Sequence, residues 1–219
     1  MSDTKNRTKR LTLMAMLAAM AYVAMLITRP LPQVAGFLSY DLKDVIVAIA
    51  GFILGPIEAL LITLVVSLIE MVTVSHTGFI GLLMNVLSTG AFVLPAALLY
   101  RRRRTLKSAA LGLGLGVVLM AVVMLAWNYI ITPLYMAVPR SVVAGMLIPT
   151  FLPFNLIKGG LNAGITMLLY KPLSAALRRL HLFPESASAA PRKFNLTATL
   201  ISAFVVITCV VLFILMTRS

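Results

Sequence analysis

Acidic residues are scarce in this chain: 6 Asp and Glu residues stand against 19 Lys and Arg residues. Charged residues of either sign make up only 11% of the sequence, whereas a water-soluble domain carries about a quarter. So few charges cannot cover a soluble fold in which 61% of the residues are hydrophobic. We therefore expect lipid to surround the protein, and we expect no soluble domain.

The sequence also lacks the residues that several catalytic classes need. Its one cysteine, Cys209, lies in an apolar run and has no partner for an internal disulfide. No glycine-rich loop ends in Gly-Lys-Ser/Thr, so the chain has no ATPase motif. The two histidines, His76 and His181, are predicted on opposite sides of the membrane, which argues against a metal cluster. With no nucleophile beside a base either, we expect a protein that is not an enzyme and has no cofactor.

Long apolar runs fill the sequence instead, and they predict an all-α, polytopic membrane protein. A helix needs about 20 residues to cross the hydrocarbon core of a bilayer. The segment 45–54, which ends at Gly55-Pro56, is about half that length, so it should be tilted or shielded by its neighbours. The first run lacks a cleavage site and is interpreted as a retained helix rather than a signal peptide. Six runs are long enough to span: residues 11–28, 57–74, 78–100, 108–132, 149–171 and 194–216.

Basic residues alternate between the two predicted sides of the membrane. With the N-terminus in the cytoplasm, 14 Lys and Arg residues fall in cytoplasmic segments and four in external ones, while Lys158 stays within a span. Because positive charge accumulates on the cytoplasmic side, this split predicts a cytoplasmic N-terminus. The basic residues form short clusters between apolar spans, a pattern that argues against nucleic acid as a partner.

A polar stretch near the C-terminus divides the chain. Residues 176–193 form a predicted cytoplasmic linker between a membrane domain of residues 1–175 and a last span at 194–216. That span carries only small polar residues, which can bond their own helix backbone. We expect it to be an anchor or a packing partner rather than a site. The pairs Gly112-Gly116 and Gly160-Gly164 predict close packing of helices inside the bundle.

Polar residues inside the predicted spans indicate a site, because burying a charge or an amide in hydrocarbon is costly. Asn155, Lys158 and Asn162 are spaced by three and four and therefore share one helix face. Two interpretations stay open. In one, Lys158 pairs with Glu70 as a structural ion pair and the asparagines bond neighbouring helices; in the other, these groups line a cavity. Their common depth favours the cavity, since the helical rise places five of them in the outer half: Glu70, Asn85, Asn128, Asn155 and Lys158.

Aromatic residues accompany these polar groups. Walls of aromatic side chains with a few amide and ammonium donors suit a planar heteroaromatic ligand, although aromatic residues at this depth also form the interfacial belt of membrane proteins. The external loop from Arg29 to Asp44 is rich enough in polar and aromatic residues to act as a lid. Asp44 is assigned to capping the short helix that follows, and Asp41 less firmly so. The aromatic set is Phe37, Tyr40, Trp127, Tyr129, Tyr135, Phe151 and Phe154.

Several stretches of the sequence form one ordered pattern over roughly residues 8–175. The most specific is the Asn-Leu-Ile-Lys-Gly-Gly run at 155–160 with Trp-Asn-Tyr upstream, and the others are Tyr40 to Val45, Gly51 to Pro56, Ser67 to Glu70, and Met84 to Thr89. In these stretches the sequence resembles a known family, the riboflavin-binding S components of energy-coupling factor (ECF) vitamin transporters of the bacterial plasma membrane.

The resemblance implies a six-helix bundle with a short second helix and a flavin held near the outer face. It implies that Asn128, Asn155 and Lys158 bond the ligand, and that the first loop closes over it. It also implies partners, namely riboflavin, a transmembrane T subunit that docks on Ala15 and Ala19, and two ATPase subunits. The span 194–216 is extra to the family. The expected ligand-binding set is Leu38, Tyr40, Asp41, Glu70, Asn85, Trp127, Asn128, Asn155 and Lys158.

Two further hypotheses remain beside this one. The first is an ion-coupled secondary carrier of a flavin or another aromatic vitamin, in which Glu70 and Lys158 titrate as a pair. The second is a membrane enzyme or sensor that binds a flavin without moving it.

Overall fold

The computed structural model describes residues 2–75, 77–179 and 196–218, and the regular secondary structure in these ranges is helical, apart from one isolated β-bridge, Val34 to Leu38, in the first loop. Six of its helices are long and apolar enough to cross a membrane, which confirms the predicted all-α polytopic class. Of the predicted linker, residues 176–193, the first four belong to helix α7 and the rest lie outside the described residues, as do both histidines. The helices are α1 (Ser2–Thr28), α2 (Lys43–Ile53), α3 (Pro56–Thr73), α4 (Gly78–Arg103), α5 (Leu106–Met136), α6 (Arg140–Met146), α7 (Leu152–Arg179) and α8 (Leu196–Arg218).

One predicted boundary is wrong. The sequence places a helix start near Pro149, whereas helical backbone begins at Arg140 and passes through a π-helical turn, Leu147–Phe151, directly into α7. Proline suits the first turn of a helix, which made position 149 look like a start. Inside a helix, proline removes one hydrogen bond and crowds the carbonyl four residues earlier. Here Pro149 lies within the π-helical turn, the kind of local widening that accommodates such a break.

The short helix α2 lies at the centre of the bundle. All 11 of its residues are buried, and α1, α3, α4 and α7 pack around it. A helix of this length spans about 16 Å, too little to cross the bilayer alone. Its burial confirms the expectation that neighbouring helices shield it, and it explains how a half-span is stable in a membrane protein.

Close helix packing occurs at the predicted glycine pairs. A Cβ on Gly116 of α5 would lie 2.1 Å from the Phe92 carbonyl oxygen of α4, and one on Gly112 would lie 2.7 Å from the Ala96 Cα. Only glycine permits this approach. In lipid no hydrophobic force joins helices as it does in water, and close packing of this kind holds them together instead. The second pair, Gly160 and Gly164, faces α8 instead of the rest of the bundle.

The first loop, residues 29–42, folds back onto the bundle. It turns at Ala35 and Gly36, both with positive φ, and the Val34 amide donates to the Leu38 carbonyl at 2.9 Å. Val34 and Tyr40 are buried, and both pack against α7. The loop therefore reaches the helix that carries the predicted lysine and asparagines.

Candidate functional site

The first loop is joined to α7 by an ion pair. Lys158 Nζ donates to Asp41 Oδ2 at 2.8 Å, and the two side chains are only 11% and 13% exposed. Lys43 Nζ lies 3.9 Å from the same carboxylate oxygen. Charges removed from water in this way persist only when they are paired, so the contact fixes the loop against the lysine that the sequence singled out.

Glu70 does not pair with Lys158, which was the partner proposed by the interpretation of these two residues as a structural ion pair. Lys43 Nζ donates to Glu70 Oε2 at 2.7 Å, while Lys158 bonds Asp41. The sequence missed this because Lys43 looked like a loop residue, whereas it begins α2 and is 2% exposed. The predicted Glu70–Lys158 pair is therefore wrong as a direct contact.

Asp44 does not cap α2. No side chain caps this helix, and the Asp44 carboxylate accepts from Thr89 Oγ1 at 2.6 Å and from Asn162 Nδ2 at 3.3 Å. Asn162 in turn accepts from the Tyr40 hydroxyl at 2.7 Å. These bonds join the first loop, α2, α4 and α7. The ion pairs form a second group, in which Asp41 contacts Lys158 and Lys43, and Lys43 also bonds Glu70 of α3. We call the two groups together the polar network; it consists of Tyr40, Asp41, Lys43, Asp44, Glu70, Thr89, Lys158 and Asn162.

The polar network retains unused hydrogen-bonding capacity. Asp41 Oδ1 is buried without a partner among the described residues, and so is the Ser67 hydroxyl on α3. An ammonium carries three donors, of which Lys158 uses one on Asp41. A buried acceptor and spare donors at one contact suit a ligand that presents both carbonyl and N–H or O–H groups.

The predicted asparagines differ in their bonding. Asn128 donates to the Met124 carbonyl and accepts from Thr132, and Asn155 donates to the Phe151 carbonyl. Each of the three bonds stays within one continuous helical segment, so Asn128 and Asn155 do not join neighbouring helices, as the interpretation of them as structural groups supposed. Asn85 is half-buried and makes no side-chain hydrogen bond to the described residues. The amides are thus fixed locally or left available.

The aromatic residues fall into two groups. Tyr129 and Tyr135 are 44% and 48% exposed on α5, as residues of an interfacial belt are. Phe37 of the first loop packs on Phe151, with ring centroids 5.8 Å apart. Leu38 and Trp127 are half-buried, the first against α7 and the second against the main core. The loop and α7 therefore share an apolar wall beside the ion pair.

Ala15 and Ala19 lie on the exposed face of α1, opposite the buried Leu13 and Leu17. Internal packing within the described bundle does not account for the pair.

Electrostatics in the first loop follow from burial and from the two lysines. Burial alone would raise the pKa of Asp41, but the ammonium groups of Lys158 and Lys43 outweigh it and hold that pKa below its usual value. Burial, followed by the carboxylates of Asp41 and Asp44, raises the pKa of Tyr40 above its usual value. The loop therefore presents a carboxylate to α7 while its phenol stays neutral and donates to Asn162.

The sequence reasoning missed Lys43, Asp44 and Thr89 as members of the polar network. A signal was present for the first two. The helix that they begin is only about half a span long and must be shielded by its neighbours, so charged residues in its first turn must be buried and paired as well. Thr89 carried no comparable signal.

Known proteins that are similar to this chain include ECF transporter components and riboflavin transporters. The family described as ECF transporter, substrate-specific component, matches residues 9–170. The riboflavin transporter RibU of Staphylococcus aureus (strain TCH60) is 31% identical over 178 residues, covering 78% of this chain and 94% of the relative. The riboflavin transporter FmnP of Bacillus subtilis (strain 168) is 30% identical over 193 residues, covering 80% and 99%. A solved S component of a bacterial ECF transporter superposes with a TM-score of 0.66 at 32% identity, covering 79% of this chain and 99% of that one.

Proposed function

The chain belongs to the substrate-specific components of ECF transporters, and we propose that its substrate is riboflavin. It is a multi-pass membrane protein and a transporter component, not an enzyme, and it works with an ECF module. The choice of riboflavin is supported by relatives that are named riboflavin transporters and that match over nearly their whole lengths. The observation that carries the site is the contact between Asp41 of the first loop and Lys158 of α7.

In this proposal the ligand lies under the first loop, against α7. The spare donors of Lys158 bond carbonyl groups at the polar edge of a flavin ring, and the free Asp41 Oδ1 accepts from an N–H group there. Asn85 bonds a hydroxyl of the ligand. Apolar residues of the loop cover the flat ring face. Opening and closing of the loop then controls access to the ligand, and the ion pair between Asp41 and Lys158 holds the loop closed. The full proposed set remains Leu38, Tyr40, Asp41, Glu70, Asn85, Trp127, Asn128, Asn155 and Lys158.

The proposed orientation puts the N-terminus in the cytoplasm and the first loop outside. The partners that follow are a transmembrane T subunit and two ATPase subunits. Docking on Ala15 and Ala19 is supported by their exposure on α1, because small exposed residues let a second helix approach closely.

The ion-coupled carrier remains the second candidate, although Glu70 and Lys158 each have another partner. Uptake into vesicles by this chain alone, driven by a proton gradient and stopped by an uncoupler, would support the carrier and contradict the ECF mechanism.

The experiment that tests the proposed substrate is a fluorescence titration. The chain is purified in detergent and titrated with riboflavin, with thiamine and biotin as controls. We expect riboflavin fluorescence to be quenched on binding and the other vitamins not to compete. Equal competition by thiamine or biotin would contradict the assignment.

Docking is tested separately by Ala15→Trp with Ala19→Trp. We expect riboflavin binding to persist while uptake with the ECF module is lost, since two indoles block close helix approach. The matched control is Leu200→Trp, a bulky change on the exposed face of α8. Loss of uptake in that control as well would contradict a specific role for the alanine pair.

A further inference from the structure

Helix α8 begins well beyond residue 170, where the family match ends, yet it packs against α7 and the first loop, which form the proposed site. It packs along α7 at the second glycine pair. A Cβ on Gly164 would lie 2.7 Å from a Val206 methyl and 3.2 Å from the Ser202 carbonyl, and one on Gly160 would lie 3.0 Å from Cys209 Sγ. The two helices therefore touch at backbone distance, as small residues one turn apart allow.

Only two residues of α8 are buried, Ser202 and Phe213. Most of its large apolar side chains are exposed, such as Phe204 at 70%, whereas Phe213 is 8% exposed. Its ring meets Tyr40 of the first loop edge-on, with centroids 6.0 Å apart. The two rings share an apolar cluster with Phe154, Ile157 and other residues of α7. Near its C-terminal end, α8 thus contacts the loop as well as α7.

Tyr40 is held from both sides. Its hydroxyl donates to Asn162 in the polar network, and its ring packs against the ring of Phe213. The next residue in the chain is Asp41, which bonds Lys158. A helix that positions Tyr40 therefore also positions the carboxylate beside the proposed ligand.

We propose that Phe213 is a positioning residue of the binding site, through which α8 holds the first loop closed over the ligand. The proposal rests on the proposed riboflavin site for its functional consequence, but the restraint on the loop is independent of the ligand. An aromatic pair stabilises the closed loop relative to the open one, so its loss speeds opening and with it the release of ligand.

The test compares Phe213→Ala with Phe204→Ala, which removes the same ring from the exposed face of α8. The first measurement is hydrogen exchange of the amides in residues 29–42 without ligand. We expect faster exchange in Phe213→Ala only, and restoration in Phe213→Tyr, which keeps the ring. Equal exchange in Phe213→Ala and the parent would overturn the proposal, whatever the substrate is.

The second measurement is the dissociation rate of riboflavin by stopped-flow fluorescence. We expect Phe213→Ala to raise it about two- to tenfold, the range that one aromatic pair accounts for, with little change in the association rate. An unchanged dissociation rate in a chain that binds riboflavin contradicts the inference alone. Absence of riboflavin binding by the parent contradicts the proposed function, and the exchange measurement still decides the role of Phe213.

The seat of α8 can be checked in membranes with the native cysteine. In Gly160→Cys the new Cβ would lie 3.0 Å from Cys209 Sγ, a separation that allows a disulfide between the two residues. We expect an intramolecular disulfide on mild oxidation, reversed by reductant, and none in Gly145→Cys, whose site on α6 faces open space. Failure of Gly160→Cys to cross-link while the protein stays folded would show that α8 does not rest on α7 and would overturn the proposal.

Discussion

Helices α2 and α8 are both strongly apolar, yet they meet opposite surroundings. Every residue of α2 is buried among other helices, while α8 buries only Ser202 and Phe213. In water such apolar helices would both be core elements, but in a bilayer lipid satisfies an apolar surface as well as protein does. Hydrophobicity alone therefore does not tell which helix lies inside.

Polar and small residues make the difference. Helix α2 begins with Lys43 and Asp44, whose side chains bond Glu70, Thr89 and Asn162 on three other helices. Helix α8 has no charge before Arg218 at its end and is joined to α7 by close backbone approach. Hydrogen bonds and ion pairs of charged side chains hold α2 in the bundle, whereas close packing of small residues holds α8 against α7. The predictions below set these two modes of attachment against each other.

Removing the Lys43 ammonium should have the largest effect. In Lys43→Met the Glu70 carboxylate loses its 2.7 Å partner inside the bundle, and breaking a buried pair on one side costs about 3–5 kcal/mol. We expect the midpoint of denaturant unfolding in detergent to fall accordingly. Because Glu70 is partly exposed, the lower end of that range applies.

The double variant Lys43→Met with Glu70→Met separates charge from packing. It removes both charges, so we expect it to recover much of the lost stability. A double variant as unstable as Lys43→Met would contradict the ion pair as the cause. Cys209→Ala on α8 is the comparison on the other helix and should change the midpoint little.

The next effect concerns the ligand. If Lys158 bonds the ligand as proposed, Lys158→Met removes a charge-assisted hydrogen bond worth about 1.5–3 kcal/mol, so the Kd for riboflavin should rise about ten- to 150-fold. The matched control is Lys107→Met, the same change at an exposed position near the start of α5. Asp41→Asn with Lys158→Met shows how much of the loss comes from the unpaired Asp41 carboxylate. Parent-like affinity in Lys158→Met would remove this residue from the site.

Much of the fold could be predicted from the sequence. The length of the apolar runs fixes the number of spans, because the bilayer has a set thickness, and the half-length of α2 required shielding that the structure provides. The start at Arg140 could not be predicted, since a proline inside a helix looks like a proline at its start until the backbone shows the π-helical turn.

The site was predictable in its residues more than in its bonds. Periodicity puts Asn155, Lys158 and Asn162 on one face, and the structure folds the first loop, predicted to act as a lid, against the helix that carries them. The pairing was not predictable, because three carboxylates and two lysines allow several combinations at similar depth. Which of them forms depends on how far the first loop folds inward, and that distance is set by tertiary packing of Val34 and Tyr40 against α7.

A smaller effect is expected from pH. The pKa of Asp41 is lowered, so its contribution to stability is complete above the pKa of an unfolded Asp, about 4, and is lost only as pH falls through the lower folded value. The pKa of Tyr40 is raised, so its contribution is complete below about pH 10 and lost above. We therefore expect flat contributions from both residues between pH 5 and 9, measured as the difference in unfolding midpoint between the parent and Asp41→Asn or Tyr40→Phe. A difference that changes between pH 5 and 9 would contradict the assigned contacts.

Among the substitutions that break a contact of the polar network, the smallest loss of stability is expected from removal of the Tyr40 hydroxyl at neutral pH. Tyr40→Phe keeps the ring on Phe213 and removes only the hydrogen bond to Asn162, so we expect a loss of about 0.5–1.5 kcal/mol of stability. The control is Tyr129→Phe, whose hydroxyl lies on the exposed face of α5. Because the ring still meets α8, exchange in the first loop should rise less than in Phe213→Ala. If Tyr40→Phe loosens the loop more than Phe213→Ala does, then the polar network, rather than α8, holds the loop closed.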